Sequence, residues 1–357
     1  MKPRRCRSAF SCLAPVFTRC TAALALLGSS VVGQEVGGTR TVADTIAAEV
    51  RSVFERTKKA IVHIDGTDEH GRFSGTGFFI DPAGTIYTSY TIGGEGTDLV
   101  ATLGERKYPA RRLFADRRSG IAVLKVDVES PFLSVGDSSS LAVGSPIVVV
   151  GYAMDLPLSP GFGTVAGIDM KLHDRYFVTR HIRANVCVQR GQGGAPLLNM
   201  QGEVVGVLIS SLESNACYAL PIEAAEKIRK DFVRHGDTRR GFLGVSVEPA
   251  PINPTGSTAA VGDLTPGSPG EKAGLKPSDI ILQINNHSIT SPEDVLNAAF
   301  FIAPDDDVKV RVARAGAKVD FSVTAGDPPS SGSRTAGDIP KFAPVGTSDL
   351  RAPSLDR

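Results

Sequence analysis

Arg190-Gly191-Gln192-Gly193-Gly194-Ala195-Pro196-Leu197-Leu198-Asn199 is the stretch on which the reading of this chain turns. Three glycines stand within four positions and an apolar run follows, with Gly202-Glu203-Val204-Val205-Gly206-Val207 just beyond. On both sides the chain is cut into short segments rich in β-branched residues. They cover Ala60 to Ile64, Thr76 to Ile80, Thr85 to Thr88, Leu99 to Leu103, Ile121 to Val126, Pro146 to Val150, Gly163 to Ile168, Phe177 to Arg180, Val204 to Ile209 and Cys217 to Leu220. Closely spaced strands with glycine turns and hardly any helix between them predict a mainly β fold, a barrel or sandwich.

The 357 residues suit two domains with tails, and 38 glycines, 23 prolines and no tryptophan fit a turn-rich β protein. Lys and Arg number 39 against 38 Asp and Glu, so no whole-chain field draws nucleic acid. Residues 1–33 place Lys2, Arg4, Arg5 and Arg7 before an apolar run from Thr21 to Leu27 and then small residues. That order reads as a secretory signal peptide, too short to remain as a membrane span, and predicts an exported protein, periplasmic or secreted. Of five cysteines only Cys187 and Cys217 lie beyond this leader. Export permits a disulfide between them, and two separate small residues in neighbouring strands is an equal reading.

Ile46, Val50, Val53 and Phe54 recur at helical spacing, predicting an N-terminal helical segment over 34–58. The β unit then runs over 59–236 and closes with a helix from Glu223 to His235, stopped at Gly236. A second unit over 239–327 opens with an expected strand from Gly241 to Val247. Ser291-Pro292-Glu293-Asp294 predicts a helix start, with proline at the first position and acids in the first turn, running to about Ile302. Spacing puts Val295, Ala299 and Ile302 in that unit's core and Leu296 and Phe300 on a neighbouring stripe. Residues 328–357 hold few large apolar side chains and read as a disordered tail.

Four segments carry a resemblance. They are Ser74-Gly75-Thr76-Gly77-Phe78-Phe79-Ile80-Asp81, Ile121-Ala122-Val123-Leu124-Lys125-Val126, the Gly191 to Val207 stretch, and Pro266-Gly267-Ser268-Pro269-Gly270-Glu271-Lys272-Ala273-Gly274-Leu275 with Lys276-Pro277-Ser278-Asp279-Ile280-Ile281. In this order they resemble the HtrA/Deg family of exported proteases. The resemblance implies a trypsin-like double β-barrel followed by an α+β PDZ domain. It also implies a serine, histidine and aspartate triad, and this chain departs from it at each position. Thr91 stands for the histidine in Tyr87-Thr88-Ser89-Tyr90-Thr91-Ile92, Gly120 for the aspartate before the Ile121 strand, and Gly193 for the serine. Asp116 lies four positions away.

Glycine has no hydroxyl and threonine is no base near neutral pH. The expected activity is therefore not proteolysis, although the Gly191 and Gly193 amides keep the place of an oxyanion hole. Thr91, Ser210, Ser211 and Cys187 are nominal alternative nucleophiles for a serine-type endopeptidase with a relocated site, each needing a base within reach. His63, His70, His173, His181, His235 and His287 show no metal-ligand spacing, and no cofactor is implied. The resemblance assigns Gly241-Phe242-Leu243-Gly244-Val245 to a carboxylate-binding loop, with Leu296 and Phe300 on the facing helix wall. The expected partners are C-terminal or extended peptides and unfolded proteins. A homotrimer or assembly with an active relative is the expected oligomeric context. Tyr152 to Gly163 and Ile209 to Tyr218 are expected as loops rimming the cleft.

Overall fold

A computed structural model of the chain describes residues 41–172, 175–212, 216–237, 239–251 and 254–328. The expected leader and nearly all of the expected tail lie outside the described residues. Helix α1 (Val42–Thr57) comes first and turns Val53 into the core, with Val50 and Phe54 half-buried beside it. It gives way to a short turn of tighter helix at Lys58–Ala60.

Two sheets follow. The first contains β1 (Ile61–Asp68), β2 (Gly71–Phe79), β3 (Thr85–Ser89), a one-turn helix α2 (Tyr90–Gly93), β4 (Thr97–Leu103), β5 (Arg106–Pro109), β6 (Arg111–Asp116) and β7 (Ile121–Lys125). Its seven strands run β5-β4-β1-β2-β3-β7-β6. The second contains β8 (Pro146–Gly151), β9 (Ser159–Leu172), β10 (Arg175–Asn185), β11 (Pro196–Leu198), β12 (Val204–Leu212) and β13 (Ala216–Pro221), closed as a barrel in the order β10-β13-β12-β11-β8-β9. Each sheet has its own apolar filling, Val62, Ile64, Phe79 and Leu124 in the first and Ile147, Val165, Leu197 and Leu208 in the barrel.

Between the sheets a third cluster joins Phe78, Tyr87, Val148 and Val207 to Val53 of α1 and to Ile222 and Ile228 of α3 (Ile222–His235). Helix α3 ends where Gly236 adopts left-handed backbone, as the glycine there predicts. It is tied to the first sheet by the buried Tyr87 hydroxyl, which donates to Glu226 Oε1 at 2.5 Å while Arg229 pairs with the same carboxylate at 2.7 Å. Fully burying side chains of this size contributes roughly 1.5–3 kcal/mol each, so the sandwiched cluster fixes the angle between the sheets.

The remaining unit is built from β14 (Val245–Pro249), β15 (Ala259–Leu264), α4 (Pro269–Ala273), β16 (Ile280–Ile284), β17 (His287–Ser288), α5 (Pro292–Phe300), β18 (Asp307–Arg314) and β19 (Ala317–Thr324). The sheet order is β14-β15-β16-β18-β19, with β17 paired to β16. In β18, Val308, Val310 and Val312 are buried and Lys309 and Arg311 exposed, the two-residue alternation of a one-sided strand. Two expectations need correction. The strand begins at Val245 rather than Gly241, because Phe242 pairs only with Gly326 and Gly244 takes a φ of 70°. Ala298, not Ala299, joins Val295 and Ile302 in the core, since the helix meets the sheet along positions 295, 298 and 302.

Helix α5 also leans on β10. The Thr179 hydroxyl and the Arg180 amide both donate to Asn297 Oδ1, at 2.7 and 2.9 Å, and the Arg180 guanidinium pairs with Asp294. Burial would raise the Asp294 pKa, but hydrogen bonds from Thr290 and Ser291 and the Arg180 charge outweigh it and hold the carboxyl below its usual range.

Candidate functional site

The cleft between the two sheets is where β3 ends, and the chain turns at once into α2. Ser89 closes the strand and Thr91 rides on the single turn, with their hydroxyls 2.9 Å apart. Gly193 faces them from the loop before β11. A Cβ at Gly193 would sit 3.3 Å from Ser89 Oγ and 3.8 Å from Thr91 Oγ1. The Gly193 carbonyl accepts from the Thr76 amide at 3.0 Å, and the Gly191 carbonyl from the Thr76 hydroxyl at 2.7 Å, so β2 holds the loop at two points. Gly191 has a φ of 91°, and the Tyr152 carbonyl fills the space its Cβ would need, so this position admits no side chain.

Gly120 lies under the same turn, its carbonyl accepting from the Tyr90 amide at 2.7 Å. Thr91, Gly120 and Gly193 are thus brought to one place. Asp116 does not substitute for a carboxylate at 120, because its two oxygens serve its own turn, one accepting from the Arg118 amide at 3.1 Å and the other from the Ser119 hydroxyl at 2.7 Å.

No described histidine forms a hydrogen bond with the Ser89 or Thr91 hydroxyl. His63 sits between Asp65 and Asp155 at 3.4 and 3.3 Å, His70 lies beside Asp68 and Glu69, and His287 stacks on Phe301 at 5.4 Å. His181 is buried in β10, stacked on Phe177 at 4.2 Å with its Nδ1 2.8 Å from the Thr179 carbonyl; burial drives its pKa down to about 4. His235 ends α3, and His173 lies outside the described residues. The cleft thus presents two hydroxyls and glycine amides, with no imidazole among the described residues to take a proton.

On the expected rim segment Met154 and Leu156 are exposed, pinned by the Met154 amide to the Arg190 carbonyl at 2.7 Å and by Asp155 to Ser74 and His63, whereas Phe162 lies in β9 and faces α1 beside Ile46 and Val50. The other expected rim loop, Ile209 to Tyr218, is largely strand: Ser210 and Ser211 lie in β12, opposite Tyr218 and Cys217 of β13. Both thiols are free, so the disulfide reading is not realised here. Cys217 is buried opposite Ala184 and its pKa is pushed up to about 12, whereas Cys187 lies exposed past the end of β10.

In the second unit the expected binding loop is held by its carbonyls. Leu243 and Gly244 accept from the Gly270 and Thr265 amides, each at 2.8 Å, while Gly241 and Phe242 donate to Ile302 and Gly326 at 2.8 and 2.7 Å. The Leu243 and Gly244 amides donate to no loop, turn or cap carbonyl among the described residues. Leu296 is exposed on α5, a helix that packs against β14, and Leu243, Val245 and Val247 are half-buried against the core of this unit. Phe300 corrects the expectation: it is buried, packed edge-on against Phe301 under Lys227 and Arg240, and lines the junction with the first unit rather than a groove. The Thr179, Arg180, Asp294 and Asn297 contact had no signal in the sequence beyond the acid at the helix start.

Comparison with known proteins places these observations. The trypsin-like peptidase domain family matches residues 75–207, and the PDZ domain family matches residues 241–325. The molecule is therefore a trypsin-like domain carrying a PDZ domain at its C-terminal side. A probable periplasmic serine endoprotease, DegP-like, of Halomonas elongata is 30% identical over 294 residues, covering 78% of this chain and 62% of that protein. Its namesake in Chlamydia pneumoniae is 30% identical over 277 residues, covering 73% and 57%. The solved HtrA-type protease AlgW with tripeptide superposes with a TM-score of 0.64 at 20% identity, over 78% of this chain and 97% of that one. The serine endoprotease from Yersinia pestis gives 0.56 at 21% identity. The chain belongs to the HtrA/Deg family, and it spans about three fifths of the length of these two DegP-like relatives. Their naming as periplasmic accords with an exported chain.

Proposed function

We propose that this chain is a pseudoprotease of the HtrA/Deg family that binds peptide C-termini or unfolded segments through its PDZ domain and does not cut them. The observation that carries the reading is the hydroxyl pair of Ser89 and Thr91 facing Gly193, where proton abstraction needs an imidazole against a nucleophilic hydroxyl. The family's triad falls on Thr91, Gly120 and Gly193, and the Gly191 and Gly193 amides keep the outline of an oxyanion hole. The Leu243 and Gly244 amides, which donate to no loop, turn or cap carbonyl among the described residues, support carboxylate capture, with the edge of β14 adding the peptide as a strand. The exposed Leu296, on the helix that packs against β14, is assigned as the apolar wall. The role that follows is chaperone-like, scaffolding or regulatory, alone or assembled with an active relative.

Two measurements test this. The purified chain should leave denatured casein intact over hours, and cleavage that tracks substitutions in its own cleft would restore the endopeptidase reading. A fluorescent peptide with a free C-terminus should bind at least about tenfold more tightly than its C-terminal amide, the value of a charge-assisted hydrogen bond or two. Equal binding of the two would remove the carboxylate site.

A further inference from the structure

At the junction of the two units a cavity of 170 Å³ is lined by Arg118, Lys227, Arg239 and Arg240, with Asp116, Asp231 and Phe300 among its other walls. Four cations and two carboxylates line it, and a third carboxylate, Asp327, reaches Arg239. The carboxylates are already committed. Asp231 takes Lys227 Nζ at 2.5 Å, and Asp116 is used within its own turn. Lys227 also donates to the Arg239 carbonyl at 2.8 Å, and Arg239 meets Asp327 at 3.9 Å. Arg118 and Arg240 remain, and neither guanidinium forms an ion pair among the described residues. Arg240 lies over the face of Phe300, 5.9 Å from the ring centre. Its pKa is drawn down, first by burial and then by the charge of Arg118, against a weaker opposing pull from Asp116.

Two guanidiniums brought together from different parts of the chain, neither in an ion pair among the described residues, form a seat for an oxyanion, since each offers a planar fork of donors. We infer that this cavity binds a phosphate group through Arg118 and Arg240. A dianion matches the two unpaired guanidiniums, which a single carboxylate would only half neutralise. A cavity of 170 Å³ has room for one phosphate or a pyrophosphate. Bound there, the anion would tie the turn that carries Gly120 to the linker at Arg239 and Arg240 and to Phe300 of α5, linking the base of the cleft to the peptide-binding unit.

The proposal is independent of the peptide-binding reading and is tested apart from it. Inorganic phosphate and pyrophosphate are titrated into the full exported chain by calorimetry at constant ionic strength, and the protein is sedimented in parallel with phosphatidylglycerol vesicles. Saturable binding of the free anion that weakens about tenfold in Arg118→Gln and in Arg240→Gln carries the site with a soluble phosphate as its source. Vesicle binding lost in the same two variants carries it with a lipid headgroup. No saturable binding of either probe, or binding unchanged in both variants, overturns it. A folding control is built in, because Arg118 is exposed on a turn and Arg118→Gln should raise the melting temperature of the anion-free protein by relieving repulsion. A lowered melting temperature would show that the two guanidiniums do not oppose each other, and would also overturn the proposal.

Discussion

The cleft and the PDZ loop both hinge on glycine, and the glycines do opposite things. At Gly244 a φ of 70° is combined with a Cβ position that collides with Ser268, whose side chain caps α4. Glycine is required there, because the conformation and the space both exclude a side chain. At Gly193 no such demand exists: backbone and surroundings leave a Cβ 3.3 Å from its nearest neighbour, a hydroxyl. One region keeps its glycine for the shape, while the other has glycine where a side chain would fit. The shape of the PDZ loop therefore depends on its glycine, whereas the backbone of the cleft loop leaves room for a side chain at position 193.

Restoring those groups is the strongest way to break the comparison. Thr91→His, Gly120→Asp and Gly193→Ser together should convert no detectable casein cleavage into measurable cleavage, on a scale where losing a triad costs about a million-fold. Gly193→Ser alone should give none, because the members act as a unit. The weak point is position 120. Its φ of 76° is tolerated by aspartate better than by most residues, and a Cβ would press on Ile209 at 3.2 Å. If the triple variant folds and stays inactive, the cleft has lost its frame as well as its chemistry.

Gly244→Ala attacks the other side. The left-handed backbone and the clash with Ser268 should cost roughly 3 kcal/mol, and peptide binding should fall with it even under conditions where the barrel stays folded. Chemical denaturation and peptide anisotropy read the two effects. A well-folded, fully binding alanine variant would mean that the loop's shape does not depend on this glycine.

A third expected effect separates the regions by pH. His181 is buried on β10, two residues from the Thr179 contact with α5, and its folded pKa of about 4 lies below its ordinary 6.5. The unfolded chain therefore binds more protons between these values, and stability present above about pH 6.5 is lost as pH falls toward 4, by up to about 3 kcal/mol. Thermal melts across that window should steepen in the native protein and flatten in His181→Gln. An equal slope in both would remove His181 as the cause.

The legibility of the chain follows from the same physics. Strand alternation, the helix start at Pro292 and the stop at Gly236 are local, so the order of elements is legible in the amino-acid sequence, as is the gathering of Thr91, Gly120 and Gly193 in one cleft. Phe300 is not. Helical spacing gives its face but not what covers it, and the cover comes from Lys227 and Arg240, distant in sequence. The Arg180 pair with Asp294 is invisible for the same reason, since the acid at a helix start is fully explained by its own helix. The cysteines show a further limit: two thiols thirty residues apart carry no sign of their separation, which depends on one being inside β13 and the other beyond β10.

The smallest effect is the sharpest discriminator. Gly193→Ser should change stability by less than about 1 kcal/mol, in either direction. The loss of glycine's freedom in the unfolded chain favours the folded state, and the 3.3 Å approach to Ser89 Oγ is relieved if the new hydroxyl joins the Ser89 and Thr91 pair. Chemical denaturation of this variant beside Gly244→Ala measures the two glycines on one scale. A near-neutral serine next to a strongly destabilising alanine is the outcome expected if the cleft backbone is still shaped for a nucleophile. A Gly193→Ser variant as damaged as Gly244→Ala would instead mean that the loop has rebuilt itself around glycine, and restoration of activity would then need the loop redesigned before any side chain is replaced.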